Sequence, residues 1–317
     1  MLVHLLLFCL GLLLVILGAD WLVNGASKLA QRLRVSELVI GLVIVAFGTS
    51  MPELVVSASA SIKGANDIAI ANVVGSNIFN LLLILGVAGL IFPMTVNKSI
   101  IKVDAPYSLL GAVVLLLMGF LIPFNSTNYT ISWWEGLIML TIFAAYMIYV
   151  MRMAMQNRQE TDVTNEPMPN LWTSIGFILL GLGGLIYGGN LLVDNAIFLA
   201  EEWGMSEKLI GMTIVAMGTS LPELATSVTA AIRKKNDIAI ANVIGSNIFN
   251  LLFILPICSL ISPLTYSPRF NMDIAFLMLG TIVFWLFTAR TKLQGRACSA
   301  ILLLMYITFT VYMIMQG

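Results

Sequence analysis

Residues 48–80, GTSMPELVVSASASIKGANDIAIANVVGSNIFN, return as residues 218–250, GTSLPELATSVTAAIRKKNDIAIANVIGSNIFN, in a fixed register of 170 residues. Of the 33 aligned positions, 23 are identical. Each copy keeps a glutamate, Glu53 or Glu223, and a set of Asn, Ser and Thr within strongly apolar surroundings. Neither chance nor apolar composition alone produces such a match. Any fold for this chain must therefore give two equivalent segments equivalent places.

The surroundings are those of a membrane. Hydrophobic residues make up 59% of the chain and charged residues 10%, with a mean hydropathy of +0.98; soluble chains carry about 25% charged residues. A bilayer-spanning helix needs roughly 20 apolar residues. Ten such runs can be read, at 2–24, 37–62, 68–92, 105–124, 133–151, 172–199, 208–232, 238–262, 272–289 and 298–316. The expected fold is an all-α polytopic membrane protein of ten transmembrane helices. Residues 1–19 have the apolar core of a signal peptide but no basic segment before it, and Gly18 has a partner at Gly188, so a retained first helix is expected.

With the amino terminus outside, 13 of the 16 Lys and Arg residues fall in inner loops, leaving Lys63, Lys208 and Arg269 outside. This is a positive-inside distribution, and it places both termini outside. Five spans per copy is an odd number, so the second copy enters the membrane in the opposite sense. The expected organisation is a first five-helix repeat at 1–151, a cytoplasmic connector at 152–171 and an inverted second repeat at 172–317. Inverted repeats with discontinuous central helices are how many secondary transporters form a mid-membrane site. Cys9, Cys258 and Cys298 show no paired spacing and read as packing residues. The glycosylation-like triplets at 125–130 fall in a tight outer turn and are treated as chance.

An ionised glutamate at mid-bilayer costs several kcal/mol and needs a partner. A salt bridge is excluded by the absence of Lys and Arg from the interiors of the second, third, seventh and eighth spans. Permanently protonated glutamates and a bound cation remain. Pro52 and Pro222 stand one residue before the glutamates, where proline removes an N–H and breaks the helix. Gly48 and Gly218 loosen the same turns. The freed carbonyls around Ala46 to Thr49 and Ala216 to Thr219 are expected to face an interior cavity. Carbonyl, hydroxyl and carboxylate oxygens are the ligands of hard cations such as Ca²⁺; no His or Cys joins them to favour a soft metal.

The following helix supplies Asn72, Ser76 and Asn80 on one face, mirrored by Asn242, Ser246 and Asn250. Interhelical hydrogen bonding is the expected role for Asn72, Asn77, Asn242 and Asn247; ligation is expected for Ser76, Asn80, Ser246 and Asn250. Asp20 and Asn24 in the first span match Asn190 and Asp194 in the sixth, and a solvated or capping role near a helix end is expected for them. Two carboxylates give a charge near −2, which one Ca²⁺ or several Na⁺ neutralise. Competition for one such site is the minimal machinery of exchange.

At these residues the chain resembles the cation/Ca²⁺ exchanger superfamily, specifically the prokaryotic sodium/calcium exchangers, over essentially its full length. GTS-x-PE and GSN-x-x-N match the two repeats of that family. The resemblance implies Ca²⁺ held by Glu53, Glu223 and the carbonyls of Thr49 and Thr219. It implies one Na⁺ site lined by Ala46, Thr49, Ser50, Ser76 and Glu53, a mirrored one lined by Ala216, Thr219, Ser220, Ser246 and Glu223, and Asn80 and Asn250 flanking the middle. It further implies that the first and sixth helices slide against the rest, with Gly181, Gly183, Gly184, Gly188 and Gly189 as a smooth packing surface. Ca²⁺ and Na⁺ would be substrates, with no cofactor, in a prokaryotic plasma membrane, and the protein a monomer. Some members, including potassium-dependent ones, carry Asp at the position of Asn250, so Asn there argues against potassium co-transport. A proton/calcium antiporter on the same scaffold is the alternative. No HExxH pair, catalytic Asp pair or Ser–His couple supports an enzyme, and the single histidine, His4, reads as a bystander.

Overall fold

Proline, glycine and seven-residue glycine spacing set the helix boundaries and contacts. The computed structural model describes residues 1–121, 129–156, 168–203 and 216–316. Its helices are α1 (Leu2–Leu33), α2 (Glu37–Thr49), α3 (Met51–Ile62), α4 (Asn66–Ile91), α5 (Ile100–Gly119) and α6 (Trp133–Gln156). After the connector come α7 (Leu171–Glu202), α8 (Ala216–Gly218), α9 (Leu221–Ile232), α10 (Asn236–Ile261), α11 (Phe270–Thr291) and α12 (Arg296–Gln316).

Among the described residues, eight helices are long and apolar enough to cross a membrane, and α2 with α3, bent by 46°, makes a ninth. The architecture is that of an all-helical polytopic membrane protein. The expected span at 208–232 is represented by α8 and α9, while 204–215 lie outside the described residues. Helix α6 continues to Gln156, so the first five residues of the expected connector, 152–156, are helical. Residues 157–167 of that connector and most of the triplets at 125–130 lie outside the described residues. Helix α7 starts where Asn170 caps it, its Oδ1 accepting from the Trp172 N–H at 2.9 Å.

The bend between α2 and α3 follows from Pro52 at the start of α3, which cannot donate to the preceding turn. Ser50 takes φ −84° and ψ 8° at the break, and Ser220 takes φ −91° and ψ 6° before Pro222. The turn from α3 to α4 uses Gly64 at φ 74°. Its counterpart 170 residues later is Lys234, held at φ 60° without the freedom of glycine.

Helices α4 and α10 form the centre: 72% and 94% of their apolar windows are buried, against 22% for α1 and 17% for α12. Both centre helices pass through a π-helical turn, at Phe79–Ile84 and Asn250–Ile254. Such turns widen a helix locally and recur at functional sites. Two-residue antiparallel pairings, which the sequence does not announce, tie loops of the two copies: Met94 with Gln294 and Thr95 with Leu293, then Thr130 with Thr265 and Ile131 with Leu264.

Helices α1 and α7 pack backbone to backbone. Gly11, Gly18 and Gly25 recur every two turns on α1 and meet Gly188, Gly181 and Ser174 on α7. A Cβ on Gly11 would lie 2.8 Å from the Gly188 carbonyl, one on Gly18 2.8 Å from that of Gly181, and one on Gly25 2.9 Å from that of Ser174. Small residues permit this approach between membrane helices. Of the five glycines expected to form the smooth surface, Gly181, Gly184 and Gly188 face α1, whereas a Cβ on Gly183 or Gly189 meets nothing within 4 Å. His4 is not a bystander. Its Nδ1 lies 2.8 Å from Asn195 Oδ1 and its ring stacks on Phe198 at 3.6 Å, joining the start of α1 to α7. The three cysteines are free, with Cys258 and Cys298 buried.

This seam makes a contrast testable. Gly18→Leu is expected to lower the thermal unfolding midpoint in detergent, at a cost of about 1–3 kcal/mol or more for overpacking against backbone. Gly183→Ala is expected to leave it unchanged. Equal midpoints for both variants would remove the seam from the account of stability.

Candidate functional site

The break between α2 and α3 carries the site. In helix α2, the Ala46 carbonyl accepts from the Ser50 N–H at 3.1 Å and from Thr49 Oγ1 at 3.4 Å. Ser246 on α10 adds a third donor, its Oγ 3.4 Å away. The Ala46 carbonyl expected to be freed is thus already engaged. Past the break, Glu53 sits in the first turn of α3 and Glu223 in the first turn of α9; both are 0% exposed.

The two copies exchange hydrogen bonds here. Ser50 Oγ donates to Glu223 Oε1 at 2.9 Å, and Ser220 Oγ donates to Glu53 Oε1 at 3.0 Å. Ser76 Oγ adds a bond to Glu53 Oε1 at 3.3 Å, and Ser246 Oγ one to Glu223 Oε1 at 3.5 Å. Thr49 Oγ1 donates to Asn242 Oδ1 at 3.1 Å, and Thr219 Oγ1 to Asn72 Oδ1 at 3.4 Å. Asn72 and Asn242 hold the helix starts in turn: their Nδ2 atoms donate to Ser57 Oγ and Ser227 Oγ, each at 2.9 Å, and to the carbonyls of Glu53 and Glu223, each at 3.4 Å. Ser57 and Ser227 were not singled out in the sequence, although their identity at a 170-residue interval marks them in the same way as the glutamates.

Helices α4 and α10 are bolted together by amides. Asn77 Nδ2 donates to the Asn247 carbonyl at 3.3 Å, and Asn247 Nδ2 to the Asn77 carbonyl at 3.2 Å. Asn250 Nδ2 donates to Asn77 Oδ1 at 3.0 Å. The interhelical role expected of Asn77 and Asn247 has a direct geometric counterpart; Asn250, expected as a ligand, also joins the bolt through its nitrogen.

What remains unpaired is as informative. Glu53 Oε2, Glu223 Oε2, Asn250 Oδ1 and both side-chain atoms of Asn80 are buried with no hydrogen-bond partner among the described residues. Buried polar groups are paired in the great majority of cases. None of the ion pairs among the described residues, Arg233–Asp20, Lys235–Glu37 and Arg269–Asp67, reaches the glutamates; Asp20 and Asn24 lie within α1, which runs on to Leu33, and not near its end as expected. No three His, Cys, Asp or Glu side chains converge among the described residues, so the donor set is hydroxyl, amide and carboxylate oxygen around two acids. Ser50, Ser76, Ser220, Ser246, Glu53 and Glu223 thus share one network with Thr49, Thr219 and the Ala46 carbonyl at its edges. Asn80 and Asn250 are fully buried beside it in sequence, without a bond to either glutamate. Ala216 begins α8, and its side chain lies outside the described residues.

A cavity of about 440 Å³ approaches the network from one side. It is lined by Met51, Pro52 and Val55 of the first break and by Gly218, Thr219 and Pro222 of the second, with Asn190 and Asp194 of α7 at its exposed wall. Thr219 borders this space, whereas Thr49 is 0% exposed.

Comparison with known proteins agrees with this geometry. The family model described as sodium/calcium exchanger protein matches residues 3–152 and 173–315. The chain belongs to the sodium/calcium exchanger family. Family members are exchangers rather than enzymes. Among similar proteins, the sodium/calcium exchanger MaX1 of Methanosarcina acetivorans is 34% identical, covering 98% of both chains. The inner membrane protein YrbG of Escherichia coli is 36% identical over 93% of this chain and 92% of its own. A structure of the sodium-calcium exchanger NCX_Mj, soaked without Na⁺ and Ca²⁺, superposes with a TM-score of 0.84 at 32% identity, over 98% of this chain and 99% of that one.

The amide bolt in this exchanger-family chain is separable from ion chemistry. Asn77→Leu removes a donor from the Asn247 carbonyl and an acceptor from Asn250, leaving buried groups unpaired at about 1–3 kcal/mol. Its ion-free thermal unfolding midpoint is expected to fall clearly below that of the parent protein. A midpoint equal to the parent's would show that the bolt does not stabilise the core.

Proposed function

We propose that the chain exchanges Na⁺ for Ca²⁺ across the membrane, both ions competing for a mid-membrane site built on Glu53 and Glu223. One observation carries the reading: two fully buried carboxylates, each with an unpaired oxygen and with no ion pair among the described residues. Ionised, they give the site a charge near −2. A Ca²⁺ ion takes oxygen ligands from carboxylates, carbonyls and hydroxyls, and neutralises that charge in one step. Several Na⁺ sharing the same oxygens do so too.

In this reading Glu53, Glu223 and the Thr49 and Thr219 carbonyls hold Ca²⁺. Na⁺ is held by Ala46, Thr49, Ser50, Ser76 and Glu53, and in the mirrored position by Ala216, Thr219, Ser220, Ser246 and Glu223. Asn80 and Asn250 complete the middle through their unpaired oxygens. The chain has ten spans in two inverted five-helix repeats, at 1–151 and 172–317, with the connector cytoplasmic and both termini outside. It works as a monomer in a plasma membrane, and α1 and α7 move together as the element that changes which face reaches the site. Likeness to the sodium/calcium exchangers MaX1 and NCX_Mj supports sodium and calcium as the ions, and the cavity at Thr219 supports alternating access.

Neutralisation sets the coupling. A site holding two bare carboxylates is costly to carry through the low-dielectric interior, so the faces exchange only when cations, or protons, fill it. The test uses proteoliposomes loaded with Na⁺ and given labelled Ca²⁺ outside. Uptake is expected with an outward Na⁺ gradient, and is expected to fall at least tenfold in Glu53→Gln and in Glu223→Gln. Ca²⁺ is expected to raise the thermal unfolding midpoint of the parent and not of either variant, which separates a lost site from a lost fold. Uptake that follows a pH gradient and ignores Na⁺ would replace the proposal with proton/calcium antiport. Full activity in either variant would remove the shared carboxylate site.

A further inference from the structure

The two copies differ where they close. Asp20 and Asn24, one turn apart on α1, both engage Arg233 just past the end of α9. Asp20 forms an ion pair with the guanidinium, and Arg233 Nη1 donates to Asn24 Oδ1 at 2.8 Å. Asn24 Nδ2 donates to Asp20 Oδ2 at 3.3 Å, which closes the three side chains into one cluster. Helix α1 runs against α9 on this face.

Displaced by 170 residues, the same three positions are Asn190 and Asp194 on α7 and Lys63 just past the end of α3. The acid and the amide have changed places, but the composition is kept: one acid, one amide, one cation. No hydrogen bond or ion pair joins these three, and all three are exposed. Between α7 and α3 stands the 440 Å³ cavity, with Asn190 and Asp194 on one wall and Met51, Pro52, Val55 and Val56 on the other. One face therefore carries a made cluster, and on the other the cavity beside Thr219 stands next to an unmade copy of it.

We infer that Asp20, Asn24 and Arg233 form a latch that holds one face of the site shut, and that Asp194, Asn190 and Lys63 form its counterpart when the cavity collapses and the first latch parts. The inference rests on the alternating-access reading above. Alternation then exchanges one ion pair for another of the same kind, so neither state is trapped by it. The exposure of the pair, 40% for Arg233 and 32% for Asp20, keeps each latch weak.

The test reads accessibility, not transport. In full-length protein with Cys9, Cys258 and Cys298 replaced by serine, Val56→Cys places one thiol on the cavity wall. Its labelling rate by a membrane-impermeant maleimide is followed in proteoliposomes. Asp20→Asn is expected to slow labelling roughly two- to fivefold, the scale of a partly exposed ion pair. Adding Lys63→Gln to Asp20→Asn, which weakens both latches, is expected to return the rate towards that of the parent. An unchanged rate in Asp20→Asn would overturn the inference. So would a slowing that Lys63→Gln does not reverse, because a merely structural ion pair would show that pattern. If Asp20→Asn does not elute as a folded protein, Arg233→Gln takes its place with the same outcomes. Labelling needs no ion flux, so a failure of Na⁺-driven Ca²⁺ uptake would refute the proposed exchange while leaving this measurement to stand or fall on its own.

Discussion

The structure depends on the cost of keeping Glu53 and Glu223 inside a membrane domain with no ion pair to either among the described residues. Moving an ionised carboxylate into a low-dielectric interior costs of order 20 kcal/mol in the idealised limit, and still several kcal/mol after relaxation. Each glutamate accepts two serine hydroxyls on one oxygen and none on the other. Hydrogen bonds to a charged group contribute about 1.5–3 kcal/mol each, so two of them reduce the penalty without cancelling it. The serines hold the acids in place without neutralising them.

The way the serines are shared makes the site a property of the assembled pair. Ser50 stands in the same turn as Glu53 but bonds to Glu223; Ser220 stands beside Glu223 but bonds to Glu53. Neither half of the chain completes its own carboxylate. The asparagine bolt between α4 and α10 fixes the distance across which these bonds are made. By contrast, α1 and α7 meet largely through glycine backbones, with His4 set against Asn195 and Phe198 at one end. The molecule therefore has a keyed centre and an outer pair of closely packed helices.

The sequence made the acids, serines, threonines and broken helices legible because duplication marks equivalent positions twice, and because proline before a buried glutamate has few structural explanations. It left other features hidden for identifiable reasons. Glycine content cannot say which way a glycine faces, so Gly183 and Gly189 were grouped with Gly181, Gly184 and Gly188 although they point away from α1. The Asp20–Asn24 pair looked like solvated helix-end chemistry because its partner, Arg233, lies 213 positions away in the chain from Asp20. His4 could not be tied to Asn195 and Phe198 without knowing that α1 and α7 run side by side. A repeat predicts which residues are equivalent; it does not predict that Thr49 is sealed while Thr219 borders a cavity. That difference belongs to the conformation.

Asn80 and Asn250 show how far equivalence goes. Both amides are fully buried at the π-helical turns of α4 and α10. Asn250 is anchored through its nitrogen to Asn77, which fixes its side chain and leaves its oxygen unpaired, whereas neither side-chain atom of Asn80 has a partner. An amide in these positions offers a ligand oxygen without adding charge. A carboxylate at 250 would carry the site towards −3, and one divalent ion would no longer neutralise it. In the reading proposed above, amides on both sides keep the fixed charge of the site at that of the two glutamates, so that a single Ca²⁺ balances it, and the identity of residue 250 sets the charge that bound cations have to balance.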